Sequence, residues 1–301
     1  FATNLALSKF LSNQGIKITQ AKNTMLALLF IIFPALIIMK LQNETGLAIV
    51  FMAFVVTLYR EGLSVNYLLL GFLTCLLFIL TLLVTDIYLY VIIISISSLV
   101  MVVYRKNRNV LIVIASAGIV ACTIVKGTTF AYDHLKPHQK VRIDVLLGRG
   151  EVDLKKEGYN VNQAKIAIGS GGFWGKGYLQ GTQTKYNFVP EQDTDFIFCT
   201  VGEEWGFMGS TIVIILMVVL IVRLIFMAER QRSAFSRIYG YGVASVLFFH
   251  ISVNLGMTLG LAPVIGIPLP FFSYGGSSLL SFTVLLFIFL KLDSRRLQIL
   301  R

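Results

Sequence analysis

The sequence predicts an all-α fold, a polytopic transmembrane helical bundle with one large loop outside the bilayer. Three observations carry that prediction. Of 301 residues, 56% are hydrophobic and 14% charged, with a mean hydropathy of +0.79, whereas soluble domains carry about 25% charged residues and disordered chains are poor in apolar ones. The apolar residues fall into nine runs, and a bilayer core of about 30 Å takes roughly 20 such residues to cross. The formal net charge of +11 is also unevenly placed: residues 130–195 hold nine Lys/Arg against eight acids, so +10 lies outside them.

The nine runs are residues 1–12, 25–39, 46–59, 67–84, 87–104, 110–125, 207–226, 238–259 and 279–290. The first is too short to cross and opens directly on Phe1, which is expected of a truncated helix. Runs 25–39 and 46–59 must borrow flanking residues to span. Basic residues gather at every second connection: Lys17 and Lys22; Arg60; Arg105, Lys106 and Arg108; Arg223, Arg230, Arg232 and Arg237; Lys291, Arg295, Arg296 and Arg301. That alternation is the positive-inside pattern, which places these connections and the C-terminus in the cytoplasm and the long loop outside. It also excludes nucleic acid as the reason for the basic excess. The expected organisation is N-terminal helices over 1–129, an extracytoplasmic loop over 130–195, and C-terminal helices with a re-entrant loop over 196–301. Cys75, Cys122 and Cys199 lie in or beside apolar runs and read as packing residues rather than a disulfide framework.

Three stretches could carry chemistry. In the first, six glycines between Gly169 and Gly181 allow sharp turns and close approach of backbone N–H groups to a phosphate; a folded surface loop is the plainer alternative. A nucleotide P-loop is rejected, because no Ser or Thr follows Lys176. Trp174, Tyr178, Tyr186 and Phe188 suit a membrane interface. In the second, Glu191, Asp193 and Asp195 precede an apolar helix. Thr194 or Asp195 could cap that helix, and an acid at this boundary could equally act as a general base. Glu203 and Glu204 lie in an apolar run, where acids are costly and face a polar cavity or a partner. In the third, Pro268, Pro270, Gly275 and Gly276 interrupt helix, so the chain around Ser273, Tyr274, Ser277 and Ser278 dips toward a cavity; Ser277 or Ser278 could instead cap the last helix. His250 reads as a satisfied interior histidine, Glu44 as a helix cap, and His134 with His138 as no metal pair, since Pro137 breaks the helix that would align them.

Taken together, Lys165 to Gly172, Gly175 to Gly177, Gly181 to Gln183, Pro190-Glu191, Thr194 to Phe198, Gly202 to Glu204 and Pro268 to Ser278 resemble the SEDS family (shape, elongation, division and sporulation), in its RodA-like branch. The likeness covers most of the chain after Lys126 and, more loosely, residues 1–59. Against the family pattern, the first three helices and the start of a fourth are absent, three spans stand between Tyr59 and the long loop where members have one, and Asp193 and Asn187 replace a His and a Glu.

The resemblance implies a peptidoglycan glycosyltransferase that polymerises lipid II on the outer face of the bacterial cytoplasmic membrane. Asp195 matches the family's catalytic acid and would be the general base, with undecaprenyl pyrophosphate leaving. Expected substrate-binding residues are Lys165, Lys176, Gln183, Glu191, Glu203, Glu204, Ser273, Tyr274, Gly275, Gly276 and Ser277, with Lys165 and Lys176 as the first candidates to neutralise the pyrophosphate. Backbone N–H groups or a divalent cation (Mg or Mn) are alternatives for that task, and no nucleotide is required. Expected partners are a class B penicillin-binding transpeptidase and other elongation-complex membrane proteins. Two competing readings stay open: a multipass transporter or flippase for a lipid-linked precursor, drawn from Glu203 and Glu204 beside broken helices, and a non-catalytic scaffold for the transpeptidase.

Overall fold

The computed structural model describes residues 1–13, 15–16, 18–42, 45–135, 140, 143–144 and 159–297. Glu44, Lys17, His138 and much of the predicted outer loop before Tyr159 lie outside the described residues. Twelve helices follow in order: α1 (Ala2–Ser12), α2 (Ala21–Leu41), α3 (Thr45–Val50), α4 (Ala53–Arg60), α5 (Val65–Leu83), α6 (Asp86–Val103), α7 (Arg108–Asp133), α8 (Tyr159–Ser170), α9 (Thr182–Lys185), α10 (Ile197–Glu229), α11 (Ala234–Thr258) and α12 (Gly276–Ser294). Among the described residues there is no strand. Among the described residues seven helices, α2, α5, α6, α7, α10, α11 and α12, are long and apolar enough to cross a membrane.

The polytopic bundle is therefore present, with seven of the nine expected runs reaching membrane length among the described residues and the other two, 1–12 and 46–59, short as expected. Run 1–12 forms only the 11-residue α1. Run 46–59 divides into α3 and α4, because the chain tightens at Phe51 and Met52: Met52 N bonds Ile49 O and Phe54 N bonds Phe51 O, three residues back instead of four.

The helices form two compact units, residues 1–63 with 153–301, and residues 64–152. In the smaller unit, Gly118 of α7 lets α6 approach so closely that a Cβ there would stand 2.9 Å from Ser97 Oγ. Thr129 Oγ1 of α7 donates to Asp86 Oδ2 of α6 at 2.9 Å.

The larger unit is built around α11, which is buried along most of its length. A membrane offers little water to expel, so helices there associate through close packing and hydrogen bonds. Small residues on α11 supply the closeness. Gly240 receives the Phe289 ring of α12, and Gly242 receives the Asn4 side chain of α1, whose amide donates to Tyr239 O at 3.2 Å. Leu224, Val243, Leu247, Leu285 and Phe289 fill one cluster, and Leu7, Ile31, Leu58 and Ile238 another. Arg60 with Glu229, Arg237 with Glu61, and Arg230 with Asp293 tie helix ends together. All three cysteines are free; Cys199 is buried, as packing requires, whereas Cys75 is exposed.

Candidate active site

The helix α10 is broken near its start. Gly206 has φ 61° and ψ −157°, and a break leaves backbone carbonyls before it and N–H groups after it without helical partners. The glycine-rich segment supplies them. Lys176 N and Gly177 N donate to Glu203 O and Glu204 O at 3.0 and 2.9 Å, while Phe207 N and Met208 N donate to Gly172 O and Phe173 O at 2.9 and 3.2 Å. Contact this close needs glycine: a Cβ on Gly171 would overlap the Gly202 carbonyl, and one on Gly175 the Glu204 carbonyl. The N–H groups of Lys176 and Gly177 are thus committed to the broken helix, which fits the folded surface loop, the plainer of the two alternatives, better than the phosphate cradle.

The same seam explains Glu203. Its side chain is fully buried and accepts from Lys176 Nζ at 2.6 Å, Gln183 N, Thr184 N and Thr184 Oγ1 at 2.9 Å each, Thr182 Oγ1 at 3.2 Å and Ser170 Oγ at 3.4 Å. This donor set is complementary to a carboxylate and satisfies both oxygens from within the chain. Glu203 therefore anchors α8, α9 and the glycine loop, and it is closed off from solvent, whereas Lys176 stays a quarter exposed beside it. Gln183 joins the anchor through its backbone, with its side-chain Oε1 buried and without a hydrogen-bond partner among the described residues. Glu204 is buried beside it. Lys165, by contrast, is exposed on α8, its ammonium lying over Gly260, which has φ 71°.

Asp195 stands on a tight turn just ahead of α10. Glu191 O accepts from the N–H groups of Thr194, Asp195 and Phe196 at 3.1–3.2 Å, and this turn takes the place of the expected cap. The N-cap of α10 is Phe196, with no side-chain cap bond, and Thr194 Oγ1 turns back to Glu191 Oε2 at 3.1 Å. Two further elements hold the turn. Asn254, fully buried on α11, donates both amide hydrogens, to Asp195 O at 2.8 Å and to Ile267 O at 2.7 Å. Ser273 Oγ donates to Thr194 O at 2.5 Å and accepts from Leu269 N at 2.7 Å, while Tyr274 N donates to Asp193 O at 2.7 Å. The Pro/Gly loop is thus bonded directly to the acidic turn, as its expected approach to a cavity requires.

At the start of α12 the capping expectation for Ser277 and Ser278 is corrected. The N-cap is Gly275, at φ 147°, where a side chain would be strained; Ser278 Oγ donates back to Gly275 O at 2.8 Å, and Gly276 begins the helix. Ser277 instead lines a cavity.

Two cavities meet the Asp195 turn. One, of about 510 Å³, is mainly apolar and runs past Phe54, Val246, Gly266, Pro268, Ser277, Ser281 and Phe282. A Cβ on Gly266 would stand 3.2 Å from Asp195 Oδ2, so the carboxylate lies behind this lining residue without itself lining the cavity. His250 also lines it, bonded through Nδ1 to Pro268 O at 3.3 Å and edge-on to Phe282, the satisfied interior histidine expected. The other, of about 330 Å³, is polar and is lined by Asn187 and Val189 to Thr194 together with Tyr274. Sequence reasoning missed Asn254; its one signal was an amide inside an otherwise apolar helix, where a polar group must find partners. No described cluster of three or more His, Cys, Asp or Glu could ligate a metal, and Glu191 is already engaged by Thr194.

Fold and site together define a polytopic α-helical membrane protein whose candidate acid stands at a helix end between an apolar and a polar cavity. The chain belongs to the FtsW/RodA/SpoVE family of cell cycle proteins, whose profile matches residues 89–298. Among curated relatives, it is 41% identical over 163 residues to the peptidoglycan glycosyltransferase RodA of Treponema pallidum, covering 54% of this chain and 37% of that one. It is 46% identical over 143 residues to the peptidoglycan glycosyltransferase MrdB of Escherichia coli K12, covering 48% and 38%. The aligned part thus spans less than two fifths of these relatives' length. Among solved structures, one from work on coordination of polymerization and crosslinking by a peptidoglycan synthase complex covers 98% of this chain and 68% of its own, with a TM-score of 0.65 and 24% identity. A mutant of the Thermus thermophilus rod shape determining protein RodA covers 98% and 64%, with a TM-score of 0.55 and 24% identity. These two structures share the fold.

Proposed function

We propose that the protein is a peptidoglycan glycosyltransferase that polymerises lipid II into glycan strands during cell elongation, with Asp195 as the general base. The observation that carries this reading is the placement of Asp195: its Oδ2 lies against Gly266 in the wall of the apolar cavity, while its chain neighbours Asp193 and Thr194 line the polar one. A lipid-linked sugar has the same division, an apolar tail joined to a polar head. The tail stays in the bilayer and the apolar cavity, and the reacting sugars meet at the carboxylate.

In the reaction, Asp195 takes the proton of a sugar 4-hydroxyl, and that oxygen forms a bond to the anomeric carbon of the donor glycan. The bond from that carbon to the pyrophosphate breaks, and undecaprenyl pyrophosphate leaves with the electron pair. Asn254, Ser273 and the Glu191 carbonyl hold the base in place through the backbone, and such positioning supplies a large part of a catalytic advantage. Lys165 is the remaining candidate to meet the leaving pyrophosphate. Lys176, already paired with Glu203, is the weaker candidate, and a divalent cation (Mg or Mn) bound there would supply the same neutralisation.

The basic connections support a bacterial cytoplasmic membrane location with a cytoplasmic C-terminus and the Asp195 turn at the outer face. A class B penicillin-binding transpeptidase, with other elongation-complex membrane proteins, is the proposed partner. The relatives' names support the reading, and the fold shared with the synthase-complex structure agrees with it. The test is a gel assay of glycan strands from fluorescent lipid II, using the full-length protein with its transpeptidase partner. Asp195→Asn should abolish strand formation at an unchanged amount of folded protein; undiminished polymerisation by that variant would remove the base assignment. Movement of lipid II across vesicles without glycan would favour a transporter, and neither activity with retained partner binding would favour a scaffold.

A further inference from the structure

The polar cavity of about 330 Å³ beside the Asp195 turn differs in its chemistry from the apolar cavity behind Gly266. Its wall carries two carboxylates (Glu191, Asp193), two planar amides (Asn187, Gln192) and the Thr194 hydroxyl, with Tyr274 at its edge, 79% exposed. None of its lining residues is Lys or Arg. A pyrophosphate is therefore a poor occupant, because the two acids would repel it and nothing in the wall would neutralise it.

The wall instead suits an uncharged polyol. Carboxylates and amides accept from hydroxyls and amide N–H groups, and an exposed phenol ring offers a flat apolar face to the C–H side of a sugar ring. One buried acceptor strengthens this. Gln192 Nε2 donates to Thr184 O and Asn187 Oδ1, both at 2.9 Å, which fixes the amide's orientation. Its Oε1 is buried and has no hydrogen-bond partner among the described residues. A buried acceptor without a donor is unfavourable, and a ligand N–H or O–H would supply one. The backbone is also held under strain here. Asn187 and Glu191 adopt left-handed φ values of 55° and 56°, a region that side-chain-bearing residues seldom occupy and that clusters at functional sites. The volume falls at the low end of the about 300–1,000 Å³ of small-molecule sites, enough for a sugar ring and too small for a lipid-linked disaccharide.

We infer that this cavity is the subsite for an uncharged N-acetylhexosamine ring, the ring whose hydroxyl attacks, with Gln192 and Tyr274 as its recognition residues. The assignment rests on the proposed glycosyl transfer, and it separates the two sugars by charge. The attacking ring, remote from any pyrophosphate, enters the acidic polar cavity, whereas the ring bearing the leaving group must lie away from Glu191 and Asp193.

The probe is N,N′-diacetylchitobiose, a neutral sugar without lipid or phosphate, added to the full-length protein in detergent. Binding is read by saturation-transfer NMR on its acetyl methyls, and polymerisation of lipid II is measured in parallel. Wild type and Asp195→Asn should both bind, while Gln192→Ala and Tyr274→Ala should each weaken binding by about tenfold, the loss expected for one good hydrogen bond or ring contact. Lys185→Ala, outside the cavity, should bind as wild type does. If wild type polymerises lipid II yet binds no chitobiose, or if both cavity variants bind it unchanged, the subsite assignment is overturned and the proposed activity stands. If wild type binds the sugar but makes no glycan, the proposed activity fails while the sugar site stands.

Discussion

Lys176 Nζ lies 2.6 Å from Glu203 Oε1, and the carboxylate it meets is wholly buried. The pair joins a glycine-rich loop to the first turns of a membrane helix. Lys176→Met should lower stability by about 2–3 kcal/mol, less than the roughly 3–5 of a broken buried pair because the Gln183 and Thr184 donors remain. Glu203→Gln should be at least as damaging, since its new NH₂ would face N–H donors instead of accepting from them. Thermal unfolding of the purified protein in detergent measures both.

The seam makes a sharper demand on glycine. Gly171→Ala and Gly206→Ala each push a methyl into backbone, at Gly202 O and at Gly175 N, and should open residues 170–185 to limited proteolysis. At Gly169 a methyl would meet no atom within 4 Å, so Gly169→Ala should change stability by no more than about 0.5 kcal/mol. Equal protease sensitivity in all three variants would show that the seam does not hold the loop.

Asn254→Leu keeps the volume of the side chain and removes both bonds that hold Asp195 O and Ile267 O. At about 1 kcal/mol for each bond, stability should fall by about 2 kcal/mol. In the polymerisation assay, kcat should drop by about tenfold with KM little changed, because the residue positions the base and touches no substrate.

Ser273→Ala removes the bridge from Leu269 N to Thr194 O. Because Ser273 and Asn254 grip the same turn, their effects should not add. A double-mutant cycle should show a coupling of at least about 0.5 kcal/mol, whereas distant, independent sites add within error.

Topology can be read with cysteine labels in a variant whose Cys75, Cys122 and Cys199 are changed to Ala. A membrane-impermeant maleimide should label Lys185→Cys in intact spheroplasts and Arg232→Cys only after permeabilisation. The reverse pattern would invert the proposed orientation.

The bundle was legible in the sequence because apolar run length and composition need no tertiary information; α5, α6, α11 and α12 fall where runs 67–84, 87–104, 238–259 and 279–290 stand. Short-range geometry was less legible. Nothing in Ala48 to Val55 marks the tightening that splits α3 from α4, since both halves are apolar. Thr194 and Asp195 have the right chemistry for a cap, yet the turn closing on Glu191 O pre-empts them. Glu203 was recognised as costly in an apolar run, but its partners come from residues 170–184 across a helix break at Gly206, and a pairing of that range leaves no local periodicity. Asn254 stood out only as an amide in an apolar helix, and its partners were hidden because both acceptors are backbone carbonyls, which every residue carries.

The seam at Gly206 also bears on how the chain is made. Residues 170–185 leave the ribosome before Glu203 does, so the N–H groups of Lys176, Gly177, Gln183 and Thr184 lack their folded acceptors, and the Lys176 ammonium its carboxylate, until the first turns of α10 follow. The loop is therefore a late-folding piece despite its early synthesis. A defect in inserting α10 would therefore leave residues 170–185 without the acceptors that close the seam, at a distance from the defect itself.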